Sequence, residues 1–348
     1  MKFRLFILCA ALAAAACFAE STNRSQSVEH ASAPVASTND PVELEYEKLM
    51  EDDDAALAEI DGWIKENQRF EAEGAGVPRE ELSRRIDKRT EPIRQAYEDF
   101  LKRNPKHGNA HLAFASFLED IHDEDRALEH MLKAKEVDPK NPAAWNNLAN
   151  YYGHFGDVTN AFSHYEKAIE LDPKEPVYYH NFGTTVFLFR KDVMEYYGIK
   201  DEQQVFDKAL MLYSNSMRLD PTNFLLATDI AMTYYGIKPT RTEDALKSWE
   251  YALKLADSTL QREGVFIHLA RFKMNAGHHD EARALMRNVN HPDLNELKAR
   301  LLKNLELREH PESATNAVTE VTTNAPPLTP STTTTNSHVH DPAHPHEH

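Results

Sequence analysis

The stretch Pro142-Ala143-Ala144-Trp145-Asn146-Asn147-Leu148-Ala149-Asn150-Tyr151-Tyr152 decides the fold, together with the turn His154-Phe155-Gly156-Asp157 and the residues Ala161, Tyr165, Ala168, Asp172 and Pro173 that follow. It predicts two antiparallel helices joined by a tight turn. Ala149 and Ala161 are small enough for the two backbones to approach closely. Trp145, Leu148, Tyr152 and Tyr165 are large enough to fill the space between this pair and its neighbours. Asp172-Pro173 stops the second helix, because proline supplies no N–H and disfavours helix at the residue before it. One such pair cannot bury its apolar face alone, so it needs stacked neighbours.

Those neighbours are legible as a period. Pro105, Pro139 and Pro173 are spaced by 34 residues, and Pro221 follows after a further 34 plus an insertion of 14. His111, Trp145 and Tyr179 share a column, as do Phe114, Leu148 and Phe182, with the small residues Ala115, Ala149 and Gly183 directly after them. Ala127, Ala161 and Ala209 align in the second half of each unit, followed by Met131, Tyr165 and Tyr213. Two weaker units carry Ala227, Ala231, Ala245 and Trp249, then Leu269, Ala270, Ala282 and Met286. The expected array therefore spans 108–296, as five units over 108–141, 142–175, 176–223 with the insertion, 224–260 and 263–296.

This pattern resembles the tetratricopeptide repeat (TPR) family, most closely over Trp145–Tyr152 with Ala161, Tyr165, Ala168 and Pro173. The resemblance implies an all-α, right-handed superhelical solenoid whose inner helices line a concave groove for a protein or peptide. The groove positions it implies are Leu112, Ser116, Asn146, Asn150, His180, Thr184, Thr228, Met232, Ile267 and Arg271. Asn146 and Asn150 stand out, since an amide both donates to and accepts from a bound backbone. Leu112 and Ser116 stand where one subgroup of the family has a cation and an Asn for gripping carboxylate tails, which argues against that clamp.

Outside the array, residues 43–107 read as an N-terminal helical region, with Pro92 as a break or a new first turn. The Glu51–Asp54 cluster reads as a solvated face, for it lacks the alternating ligands and turn glycine of a calcium loop. The insertion, about 190–205, is expected to lengthen the first helix of its unit and add a loop. Residues 293–309 suit a C-terminal capping helix. Residues 20–42 read as a flexible linker, and residues 310–348 as a disordered tail rich in Thr, Pro and His.

Residues 1–19 read as an export signal: Lys2 and Arg4, an apolar run from Leu5 to Ala16, then Cys17-Phe18-Ala19. Ala14-Ala15-Ala16-Cys17 also resembles a bacterial lipobox, which makes Cys17 a lipidation position and a lipid the only expected membrane anchor. The other cysteine, Cys9, lies in the same segment, so a processed chain holds no internal disulfide. The expected location is periplasmic, envelope-associated or secreted. A net charge of −17 with no dominant basic block disfavours nucleic acid. No phosphate loop, nucleophile elbow or His-Glu-x-x-His helix appears, and no cofactor or enzyme activity is expected. The expected function is an exported scaffold in the assembly or organisation of an envelope complex. The alternative is envelope metal handling, in which His338, His340, His344, His346 and His348 bind zinc, nickel or copper.

Overall fold

The computed structural model describes residues 40–310. The described residues hold fourteen α-helices and fall into two compact units that divide between Leu255 and Ala256. The export signal, Cys17, most of the linker and the His-rich tail lie outside the described residues.

The first unit is a solenoid of helical hairpins. It opens with α1 (Pro41–Ala72) against α2 (Arg79–Arg103), followed by α3 (Gly108–Asp120) with α4 (Glu124–Val137) and α5 (Pro142–Phe155) with α6 (Val158–Leu171). Next α7 (Pro176–Leu188) pairs with α9 (Glu202–Leu219) across the short α8 (Arg190–Tyr197), and α10 (Phe224–Thr233) pairs with α11 (Thr242–Leu255).

Local chemistry sets these boundaries. Asn141 and Asp157 cap α5 and α6 by accepting the backbone N–H of Ala143 and Thr159, each at 3.0 Å. Pro142 and Pro176 sit in first turns, where a missing N–H removes no helix bond. The Asp-Pro turns are pinned twice. Asp138 and Asp172 accept from Lys140 N (3.1 Å) and Lys174 N (3.0 Å). Six residues after each proline, the column residue donates to the proline carbonyl: His111 Nε2 to Pro105 O (3.1 Å), Trp145 Nε1 to Pro139 O (2.9 Å) and Tyr179 Oη to Pro173 O (3.1 Å). The column thus fixes the angle at which each hairpin leaves its predecessor.

Ala127, Ala149, Ala161, Ala168 and Ala209 are all fully buried at the helix crossings. Gly183 is tighter still: a Cβ there would meet the Tyr213 ring at 2.9 Å. Helix propensity favours valine over glycine by only about 0.3–0.5 kcal/mol, and the buried Tyr213 ring has little room to yield. Gly183→Val is therefore expected to destabilise the first unit by about 1–3 kcal/mol in thermal melts. A variant as stable as the parent would show that α7 and α9 can separate freely.

Three expectations change. The insertion does not lengthen α7, which keeps the 13 residues of α3. It folds as α8, ended by Gly198 at φ 66°. The new helix buries Val193 completely and lays Tyr196 and Tyr197 against Phe162, with ring centroids at 5.2 and 6.0 Å. Pro92 lies inside the continuous α2 rather than breaking it. Pro92 and Lys88, whose carbonyl loses its helical partner, are both exposed, and burial of Ile93, Tyr97 and Phe100 holds the helix together. Within Glu51–Asp54, Asp53 is not solvated: it is buried and accepts from Tyr97 Oη at 2.7 Å.

In the second unit, α12 (Thr259–Asn275), α13 (His279–Arg287) and α14 (Asn295–Glu309) close around Ile267, Met274, Met286, Leu294, Leu301 and Leu305. Ser258 caps α12, accepting from Gln261 N at 3.1 Å, so this helix starts four residues before the expected repeat boundary. Glu263 ties the unit together by accepting from the backbone of Asn290 and His291, each at 2.6 Å.

Candidate partner-binding face

The first helices of successive hairpins, α5, α7 and α10, present a strip of half-buried polar side chains. The small column residues Ala149, Gly183 and Ala231 beside it are buried. Between α5 and α7 the strip is hydrogen-bonded rather than merely adjacent. Asn181 Nδ2 on α7 donates to Asn146 Oδ1 on α5 at 3.2 Å, and Asn146 Nδ2 donates to Asn147 Oδ1 at 3.3 Å. His180 Nε2 on α7 lies 3.3 Å from Asp229 Oδ2 on α10.

Two tyrosines of the second helices support the strip from below. Tyr165 Oη donates to Asn150 Oδ1 at 2.6 Å and sits 3.2 Å from Thr185 Oγ1. Tyr213 Oη lies 3.1 Å from Thr184 Oγ1 and also bonds Thr233. Burial pushes the Tyr213 phenol up to about 12 and the Tyr165 phenol higher still, so both remain neutral hydroxyls.

The residues singled out from the sequence therefore have distinct places. Asn146 is 5% exposed and committed on both amide atoms to Asn181 and Asn147. Asn150 is half-buried with its oxygen held by Tyr165, so its N–H groups are what it offers outward. Thr184 is held by Tyr213, and His180 Nε2 lies beside the Asp229 carboxylate without a hydrogen bond to it. Thr228 bonds its own helix through Leu225 O at 2.8 Å, and Met232 is half-buried beside it on α10. On α3, Leu112 and Ser116 are nearly covered, at 7% and 8% exposure. Arg271 lies on α12 in the second unit, and Ile267 packs in that unit's core. Sequence reasoning missed Asn147, Asn181 and Asp229, which lie one residue from chosen positions, and the supporting hydroxyls of Tyr165 and Tyr213. The candidate metal ligands His338 to His348 lie outside the described residues, and among the described residues no group of three or more His, Cys, Asp or Glu could hold a metal. No described helix is long and apolar enough to cross a membrane.

Residues 79–144 match the family model for the TPR repeats of TmcB, and residues 142–175 match a tetratricopeptide repeat model. No curated protein matches the chain. Among solved structures it is similar to YrrB, described as a TPR protein with an unusual peptide-binding site (16% identity, 60% of this chain and 99% of that one, TM-score 0.44). It is also similar to PilW, a type IV pilus biogenesis factor (16% identity, 70% and 98%, TM-score 0.48). A third is the human IFIT1 dimer solved with m7Gppp-AAAA, of which it spans about half (16% identity, 64% and 51%, TM-score 0.46). The chain carries tetratricopeptide repeats over residues 79–175, and the helical hairpins that follow continue the same all-α architecture.

Proposed function

We propose that the chain is a non-catalytic scaffold whose α5–α7–α10 face docks a segment of a protein partner. One observation carries this reading: Asn181 on α7 is hydrogen-bonded to Asn146 on α5, and the tyrosines beneath fix Asn150 and Thr184, so the polar face is held in place before any partner arrives. A face fixed in advance loses little conformational freedom on binding. Its groups are amides, hydroxyls and the His180 imidazole with a single carboxylate, Asp229, and these match the backbone donors and acceptors of a peptide. The acidic balance of the chain, −17, supports a protein rather than a nucleic acid as partner.

Site-specific photo-crosslinkers test the reading. Placed at Asn147, Asn181 and Thr228, they are expected to join one and the same partner segment, mapped by mass spectrometry. Placed at the exposed second-helix positions Ser163 and Met211, they are expected to leave it free. Equal crosslinking on both sets, or crosslinking on the second helices alone, removes the groove from the account.

The scaffold is further proposed to act after export, in an envelope complex. Support comes from Lys2, Arg4 and the Leu5–Ala16 run, with Cys17 as the position a lipid would take. N-terminal sequencing and intact mass of the mature protein decide this part. A chain that still begins at Met1 would sink it.

A further inference from the structure

On other helices of the first unit, α2, α3 and α4 line an open cleft of about 520 Å³, a volume within the range of small-molecule sites. Leu101, Phe114 and Val137 give it apolar walls, and His111 and His130 line it beside them. Lys102 and Lys106, both exposed, stand at its edge and make no ion pair with any described residue. Of the other charges lining it, Glu98 pairs with Arg126 at 2.5 Å and Lys133 with Glu129 at 2.6 Å, whereas Glu136 is exposed and makes no ion pair with any described residue. The cleft therefore carries two uncommitted ammonium groups against one uncommitted carboxylate, a net positive edge on a strongly acidic chain.

The state of the two histidines follows from their partners. The Pro105 carbonyl can only accept, so His111 Nε2, at 3.1 Å, carries a hydrogen. Neutral His111 then has a bare Nδ1, and the 2.9 Å contact between the two Nδ1 atoms requires the hydrogen to sit on His130 Nδ1. His130 Nε2 is left as an acceptor, and burial, with the charge of Lys133, keeps this ring neutral by pushing it down to about 4.

The next repeat shows what normally happens to that acceptor. His164 stands 34 residues after His130 and donates from Nδ1 to Asn160 O at 2.8 Å. Its Nε2 is met by Lys135 Nζ at 3.4 Å, and Trp145 lies against its ring at 5.1 Å. In the first repeat the smaller His111 stands where Trp145 stands, and no described residue brings a donor to His130 Nε2. Space and an unanswered acceptor thus coincide at one departure from the repeat.

We propose that this cleft binds a small hydroxylated carboxylic acid, with its carboxylate between Lys102 and Lys106, its apolar body against Leu101, Phe114 and Val137, and its hydroxyl donated to His130 Nε2. Each part of the ligand answers one feature of the cleft, and the three together separate it from a plain fatty acid or a simple anion.

The test uses the full chain and 4-hydroxyphenylacetate as probe, followed by calorimetry and by ¹⁵N resonances of the histidine rings. A ligand of this size is expected to bind one site with a Kd on the order of 0.1–1 mM. The His130 Nε2 resonance should shift on saturation. The neutral 4-hydroxyphenylacetamide should bind about tenfold more weakly, and phenylacetate several-fold more weakly. Lys102→Met/Lys106→Met should weaken the acid by about tenfold at an unchanged melting temperature, because both side chains are exposed. Saturable binding that fails to appear by about 10 mM overturns the proposal. So does equal binding of the acid and its amide, an unaltered affinity in the double variant, or a His130 resonance that does not move.

Discussion

Tyr165→Ala is expected to destabilise the first unit by about 3–5 kcal/mol, the range for truncating a large buried aromatic side chain. Tyr165 is 2% exposed, stacks on Phe182 with ring centroids 5.3 Å apart, and packs in one core with Ala149, Phe162 and Tyr213. The same side chain holds Asn150 Oδ1 at 2.6 Å, so packing and site geometry fail together. Tyr165→Phe separates them. It keeps the ring and loses the hydroxyl, at a cost of about 1–2 kcal/mol, while freeing the Asn150 amide to turn. In a solenoid each hairpin leans only on its neighbours, so the loss should be local. Hydrogen exchange should quicken in α5, α6 and α7 of the Ala variant well before it does in α1. For the Phe variant, stability should fall little while partner crosslinking through Asn147 and Asn181 falls markedly. An Ala variant that melts with the parent would show that the hairpins are held by something other than this core. A Phe variant with normal crosslinking would detach Asn150 from the binding face.

The hairpins were legible because their determinants are local. Asp-Pro turns, Asn and Asp caps, and the small column residues Ala149 and Ala161 act within one repeat, and the period of 34 exposes them by repetition. The column His111, Trp145, Tyr179 was also visible as a column. Its hydrogen bonds to the proline carbonyls were not, since His, Trp and Tyr share a donor but little else. Contacts between hairpins were hidden for a geometric reason. Asn150 reads as an outward amide until its oxygen is found on Tyr165, 15 residues later on another helix. Asn146 reads as a partner contact until Asn181, 35 residues away, is found on it. Asp53 sits among three exposed carboxylates, and only Tyr97, 44 residues on, marks it as the inward member of the cluster. A single insertion escaped for the same reason: that 190–197 forms α8 depends on Phe162 offering an uncovered ring.

The capping role of α14 leads to the second large effect. A chain ending at Leu294 is expected to lose the structure of α12 and α13. Within the second unit, α14 supplies Leu301 and Leu305, 4% and 1% exposed, to a core otherwise built from Ile267, Met274, Ala282, Met286 and Val289. Removing either leucine side chain costs about 2–5 kcal/mol. Folded proteins hold only about 0.05–0.15 kcal/mol per residue in reserve, so a unit this small has a margin of a few kcal/mol. The loss of both side chains exceeds that margin. Polar ties go with them: Lys298 Nζ donates to Val289 O at 2.6 Å, and Glu309 pairs with Arg283 on α13. That pair holds the Glu309 carboxyl below the usual carboxylate range. Its contribution is therefore present at neutral pH and fades as the pH falls through the depressed value. Leu305→Ala serves as the milder variant, expected to lower stability by about 2–5 kcal/mol while leaving α14 helical. Amide exchange in 259–287, read against α5 and α6 in the same sample, measures both. Truncation should bring those amides to the rate of unfolded chain, whereas Leu305→Ala should leave partial protection. If residues 259–287 stay as protected in the truncated chain as in the intact one, α14 covers nothing that the unit needs, and the core assigned to it is wrong.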